Sequence, residues 1–155
     1  MKRPILRMVF ENRLEALNHL MTVVRAYLEP YPLSGKSRFA VELILEEVVT
    51  NVIHHAFEGV EDVGPETHLI AVELAVSERG VHLRVTDDGR AFNPLSVPRL
   101  DVDQPLMERL EGGLGIHLVR QMMDSMAYRR ESGRNHFEIW IRDREGNGTP
   151  MERTV

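Results

Sequence analysis

The run I-A-V-E-L-A-V-S-E-R-G-V-H-L-R-V-T-D-D-G, residues 70–89, settles the architecture. Ile70, Val72, Leu74 and Val76 alternate with other residues, the two-residue period of a strand with one buried face. Arg79-Gly80 marks a hairpin turn, and the returning strand puts Val81, Leu83 and Val85 in one phase and His82, Arg84 and Thr86 in the other. Strands joined by a tight hairpin are antiparallel, so the sheet built on this pair is largely antiparallel. Asp87 falls in the apolar phase, where an acid needs a partner.

Upstream, a polar turn at 58–67 holds Gly59, Gly64 and Pro65. Before it, Val41, Ile44, Leu45, Val48, Val49, Val52 and Ala56 form a helical stripe of four turns, with Ser34 or Ser37 as N-cap after Pro30, Pro32 and Gly35. Leu14, Leu17, Met21, Val24 and Leu28 mark an earlier amphipathic helix ending at Pro30, and residues 5–10 read as a short first strand. Downstream, the pattern dissolves from Arg90 to Glu111, with Pro94, Pro98 and Pro105. A connection that long is functional or disordered. From Gly115, Leu118, Val119, Met122 and Met126 give a third helical stripe. Residues 126–131 and 135–141 then read as strands about a Ser132-Gly133 turn, with Trp140 on a sheet face and an unstructured tail after Arg142. This order predicts an α+β fold: a two-layer α/β sandwich, mostly antiparallel, with helices covering one face. It forms one domain over 1–145, with a flexible tail at 146–155.

The 155 residues suffice for a core without staples. A formal net charge of -5 argues against a nucleic-acid partner, and the absence of cysteine excludes disulfides and thiolate metal sites. No apolar run is long enough to span a membrane and the basic start is no signal peptide, so a cytoplasmic protein is expected.

Three segments carry chemistry. In E-E-V-V-T-N, residues 46–51, Glu47 and Asn51 stand one helical turn apart, with His55 continuing the row along the flank of the stripe. An amide oxygen suits Mg²⁺, which takes few protein ligands beside phosphate oxygens and water, and the carboxylate could accept a proton. Read alone, the pair is more simply a solvated helix edge, since polar helix flanks are ubiquitous. D-D-G, residues 87–89, ends the strand on an acid able to accept from an adenine amino group, with Gly89 letting backbone approach a flat base; D-G is also plain turn punctuation. G-G-L-G, residues 112–115, opens a helix whose free amides could bind phosphate, though glycines there also serve as a hinge. There is no P-loop. His54 and His55 are adjacent on a helix, diverge, and cannot chelate one ion together. In fixed order the three segments read as one ATP site.

With E-E-V-V-T-N-V-I-H-H-A-F as N box, V-T-D-D-G-R-A-F-N-P and G-G-L-G-I-H-L-V-R-Q-M-M-D as glycine boxes, residues 38–141 resemble the GHKL superfamily, with its Bergerat fold. The branch it most resembles is that of anti-sigma factor serine kinases of the RsbW and SpoIIAB type. The resemblance implies Glu47 as general base and Asn51 as Mg²⁺ ligand. It implies Asp87 as adenine reader, with Gly89, Phe92, Gly113, Leu114, Gly115 and His55 about the nucleotide. It makes residues 90–111 an ATP lid, with Arg99 or Arg109 as phosphate contacts. Many members carry a threonine near the adenine on the last strand, where this chain has Asn135 or Glu138.

The implied function is a Mg-ATP-dependent serine kinase. Its substrate would be a serine on a STAS-domain anti-anti-sigma partner that competes with a sigma factor or other target, and a homodimer is implied. The rivals are a detached ATP-binding domain of a histidine kinase, an ATPase of the gyrase or mismatch-repair kind, and a nucleotide-dependent binding module without transfer.

Overall fold

The computed structural model of the chain describes residues 4–58, 68–93 and 114–144. Strands β1 (Leu6–Glu11), β2 (Leu69–Ser77), β3 (Gly80–Asp87), β4 (Ser125–Glu131) and β5 (Arg134–Arg142) form a single sheet in the order β1-β2-β3-β5-β4. All four pairings are antiparallel. Helices α1 (Leu14–Leu28), α2 (Gly35–Asn51) and α3 (Leu114–Met122) complete the second layer, as the order of elements predicts.

The alternation of β2 and β3 sets the core. Ile70, Val72, Leu74, Val81, Leu83 and Val85 are buried, joined on β5 by Phe137, Ile139 and Ile141. Against them pack Leu17, Leu20, Met21, Val24 and Leu28 of α1, and Val41, Ile44, Leu45, Val48 and Val49 of α2. Each fully buried aliphatic side chain contributes about 2 kcal/mol through area removed from water. Leu14, expected in the α1 stripe, is exposed, and Leu20 is buried instead.

The helix ends are closed by side chains. Ser34, one of the two expected caps, accepts from the Ser37 amide at 3.1 Å. Asp143 reaches the same α2 start, accepting from Ser34 N at 3.1 Å and Ser37 Oγ at 3.0 Å, while Arg144 pairs with Asp124 at 2.9 Å. The ordered contacts therefore continue past Arg142, where an unstructured tail was expected. Arg38 donates to the carbonyls of Leu28, Glu29, Tyr31 and Leu33, satisfying orphan acceptors at the end of α1 and in the bend that follows.

Two expectations about elements need correction. The α2 pattern is not one α-helix to Ala56: after Asn51 it widens into a π-helical turn, Val52–Ala56. Met126 belongs to β4, because α3 ends at Met122 and the polar Asp124 and Ser125 interrupt the stripe. Glu138 lies on the face away from the helices, in a charged row in which Arg84 binds both Glu73, at 3.3 Å, and Glu138, at 2.9 Å. Trp140 shares that face and stacks on His82, with ring centroids 4.8 Å apart.

Candidate functional site

The inward phase of β3 runs Val81, Leu83, Val85 and then Asp87, which is 2% exposed. Register places Asp87 opposite Asn135 of β5, itself 1% exposed, and Asn135 opposite Arg130 of β4. Asp87 Oδ1 accepts from Asn135 Nδ2 and from the Gly89 amide, each at 2.9 Å. Among the described residues Oδ2 accepts nothing, leaving one carboxylate oxygen for a ligand. Burial pushes the Asp87 carboxyl above its ordinary range. The Asn135 and Gly89 donors oppose this, Asp88 adds to it, and Arg130 opposes it more weakly.

Asn135 is fully engaged on both sides of its amide. Its Oδ1 accepts from Tyr128 OH at 2.7 Å and Arg130 Nη1 at 3.0 Å, and its Nδ2 donates to the Arg90 carbonyl at 2.7 Å. Arg130 also donates to the Gly89 carbonyl at 2.7 Å. The segment after β3 is thus fastened to the β4–β5 hairpin.

Its other side rests on the end of α2. A Cβ on Gly89 would lie 2.6 Å from Ala56 Cβ and 2.8 Å from the Ala56 carbonyl carbon, so only glycine fits. The Arg90 amide donates to the Ala56 carbonyl at 2.6 Å, and Arg90 Nε to the His55 carbonyl at 2.9 Å. Arg90 thereby adds donors to the last carbonyls of the turn, of which that of His55 also accepts from the Phe57 and Glu58 amides. Glu58 joins the same knot, bonding His55 Nδ1 at 3.2 Å and Arg90 Nη2 at 3.1 Å. The Phe92 ring lies 6.4 Å from that of His55. The sequence motifs at 46–57 and 85–94 therefore meet.

Back along the helix from His55, Asn51 stands one turn away and Glu47 about two; both are half-buried, and neither side chain has a hydrogen bond or ion pair among the described residues. Burial, and then the neighbouring Glu46 charge, raise the Glu47 carboxyl above its ordinary range. That favours a proton acceptor at neutral pH. The π-turn carries His55 off the straight row that an α-helix would give with Glu47 and Asn51, and toward Glu58.

Leu114 and Gly115 lie in the first turn of α3, which packs on α2. Gly113, Arg99, Arg109 and most of the expected lid lie outside the described residues. Of the two candidates on the last strand, Asn135 touches Asp87, whereas Glu138 pairs with Arg84. Sequence reasoning missed Tyr128 and Arg130. Their signal was phase: both share the inward register of Met126 on β4.

The family model of the histidine kinase-like ATPase domain matches residues 10–141. Serine/threonine-protein kinase BtrW of Bordetella bronchiseptica is 29% identical over 108 residues, covering 68% of this chain and 71% of BtrW. Serine-protein kinase RsbW of Halalkalibacterium halodurans is 29% identical over 97 residues, covering 60% of this chain and just over half, 56%, of RsbW. A solved structure of the RsbU and RsbW domains of a Mycobacterium tuberculosis protein superposes with a TM-score of 0.60 at 15% identity, covering 90% of this chain and 32% of that one, a likeness of fold.

Proposed function

This chain belongs to the histidine kinase-like ATPase family, and we propose from that membership that it is an ATP-dependent protein serine kinase that regulates a partner-switching circuit. Its similarity to serine-protein kinases of the BtrW and RsbW kind supports the reaction class. The observation that carries the reading is the meeting of the α2 end with the β3 end. It sets the glycine turn and an uncommitted carboxylate oxygen on Asp87 against the end of the helix on which Asn51 and Glu47 follow, one and two turns back from His55.

In this reading Asp87 Oδ2 accepts from the adenine amino group, and the start of α3 turns its amides toward phosphate. Glu47 takes the proton from the serine hydroxyl as the new oxygen–phosphorus bond forms and the bond to the ADP oxygen breaks. Asn51 is the residue that would hold Mg²⁺. Among the described residues no three His, Cys, Asp or Glu side chains gather, and a single free amide suits an ion that keeps several waters and phosphate oxygens. When bound, that ion neutralises charge on the transferring phosphoryl group.

The substrate in this proposal is a serine on a STAS-domain anti-anti-sigma protein, whose unphosphorylated form competes with a sigma factor or comparable target. A phosphate placed at that interface would weaken it by like-charge repulsion and desolvation. Among the described residues no helix is long and apolar enough to cross a membrane.

The deciding experiment incubates the protein with γ-labelled Mg-ATP and candidate STAS-domain proteins. Acid-stable serine phosphate on the partner is expected, and Glu47→Ala should retain nucleotide binding while transfer falls by about 100-fold or more. Acid-labile label on the protein's own histidine, or phosphate release without an acceptor, would overturn the assignment.

A further inference from the structure

The structure assigns Asn135 as the residue that orients Asp87, and through it sets the preference for a 6-amino over a 6-oxo purine. The assignment rests on the nucleotide reading above and deepens it.

The argument is one of hydrogen-bond polarity. An asparagine amide can be turned either way, and its neighbours decide which. Here Tyr128 OH and Arg130 Nη1 both present donors to one side, at 2.7 and 3.0 Å. A guanidinium has no acceptor at all, so Oδ1 must face Arg130 and Nδ2 must face Asp87. On the other side the Arg90 carbonyl, an acceptor only, holds Nδ2 at 2.7 Å. The amide therefore has a single satisfied orientation. It delivers a donor to Asp87 Oδ1 at 2.9 Å, in parallel with the Gly89 amide at the same distance.

With Oδ1 saturated by two donors, the carboxylate rotation is fixed and Oδ2 is the acceptor that remains. A purine with an exocyclic amine at C6 meets it with a donor. A 6-oxo purine sets an oxygen against it, leaving two acceptors opposed in a buried place, which is costly. Discrimination is therefore built one residue behind the contact, in the β4–β5 hairpin. Asn135 is a positioning residue, since it acts through Asp87.

Dissociation constants for Mg-ATP and for magnesium inosine triphosphate, which carries a carbonyl at C6, test this by titration calorimetry. Asn135→Asp keeps the acceptor toward Tyr128 and Arg130 but replaces the donor toward Asp87 with an oxygen. ATP affinity is expected to fall at least about tenfold while inosine triphosphate changes less than about threefold, the scale of one hydrogen bond to a charged group. If Asn135→Asp fails to fold, Asp87→Asn decides. Asn135 Nδ2 and the Gly89 amide would demand oxygen on the inner side of the new amide and turn its NH₂ outward, so inosine triphosphate should bind more tightly than ATP.

A folded Asn135→Asp with an unchanged affinity ratio, or Asp87→Asn that still prefers ATP or binds neither nucleotide, overturns the assignment. Wild-type protein that binds neither nucleotide overturns the kinase reading itself, so the two failures are separable.

Discussion

In the proposed mechanism Glu47 serves as the base at a cost in stability. Its carboxyl is raised above the ordinary range by burial and then by Glu46, so the fold disfavours the ionised form. For a raised acid, the favourable contribution is complete below the unfolded-state pKa of about 4.3 and is lost as pH rises through the folded value. At neutral pH the protein therefore carries the whole penalty of holding Glu47 charged. Glu47→Gln removes the charge and keeps the shape. Its melting temperature should exceed that of the wild type at pH 7.5, and the two curves should converge near pH 4, as thermal scans across pH would show. Phosphotransfer should fall by about 100-fold or more over the same substitution, since the amide cannot accept the serine proton. Equal melting temperatures at both pH values would mean that Glu47 is solvated and its environment is not the cause of any basicity.

At the level of elements, the joint between the π-turn and β3 makes a separate prediction. Gly89→Ala gains up to about 1 kcal/mol by restricting the unfolded chain. However, it drives a methyl group into the Ala56 backbone and Cβ, an overpacking that costs about 3 kcal/mol. The clash should win, giving a net loss of about 2 kcal/mol in urea unfolding with an unchanged m-value and weakened nucleotide binding. A stability equal to or above wild type would contradict the close approach. This joint was only half legible in the sequence. Asp87 could be placed because a period of two carries it into the apolar phase, and Ser34 because a serine before an apolar stripe is a helix start. The π-turn left no such mark: Val52 and Ala56 continue the apolar stripe as an α-helix would have them, and the Gly89 and Arg90 contacts that the turn makes arrive from more than thirty residues away. The same holds for Asn135. Its register opposite Asp87 depends on β5 pairing with β3 across a crossover, which local periodicity does not encode. Met126 misled because Met122 and Met126 are spaced as on a helix, while the break at Asp124, which accepts from the Arg142 amide at 2.6 Å, is a tertiary contact.

Across the whole molecule, α2 is the spine that joins two ends with different work. It spans 17 residues, about 25 Å. Its start is closed by Ser34 and by Asp143 from the end of β5, and its finish carries Asn51 and the joint to β3. Sites that far apart with no shared partners should contribute additively to stability. A nucleotide bound only by the folded chain stabilises it by about 2.7 kcal/mol at a concentration 100 times its dissociation constant. For a domain of this size that raises the melting temperature by about 5–10 °C. Asp143→Ala removes a carboxylate from a helix N-terminus and should cost about 1 kcal/mol. It should lower the melting temperature by about 3 °C while leaving the Mg-ATP increment as large as in the wild type. Asn51→Ala should do the reverse: a melting temperature close to wild type without ligand, and an increment no greater than ATP gives in the presence of EDTA. Differential scanning calorimetry of the two variants and their combination separates these contributions. An increment that shrinks in Asp143→Ala would show that the two ends of α2 are coupled, and one that survives in Asn51→Ala would remove Asn51 from the metal site.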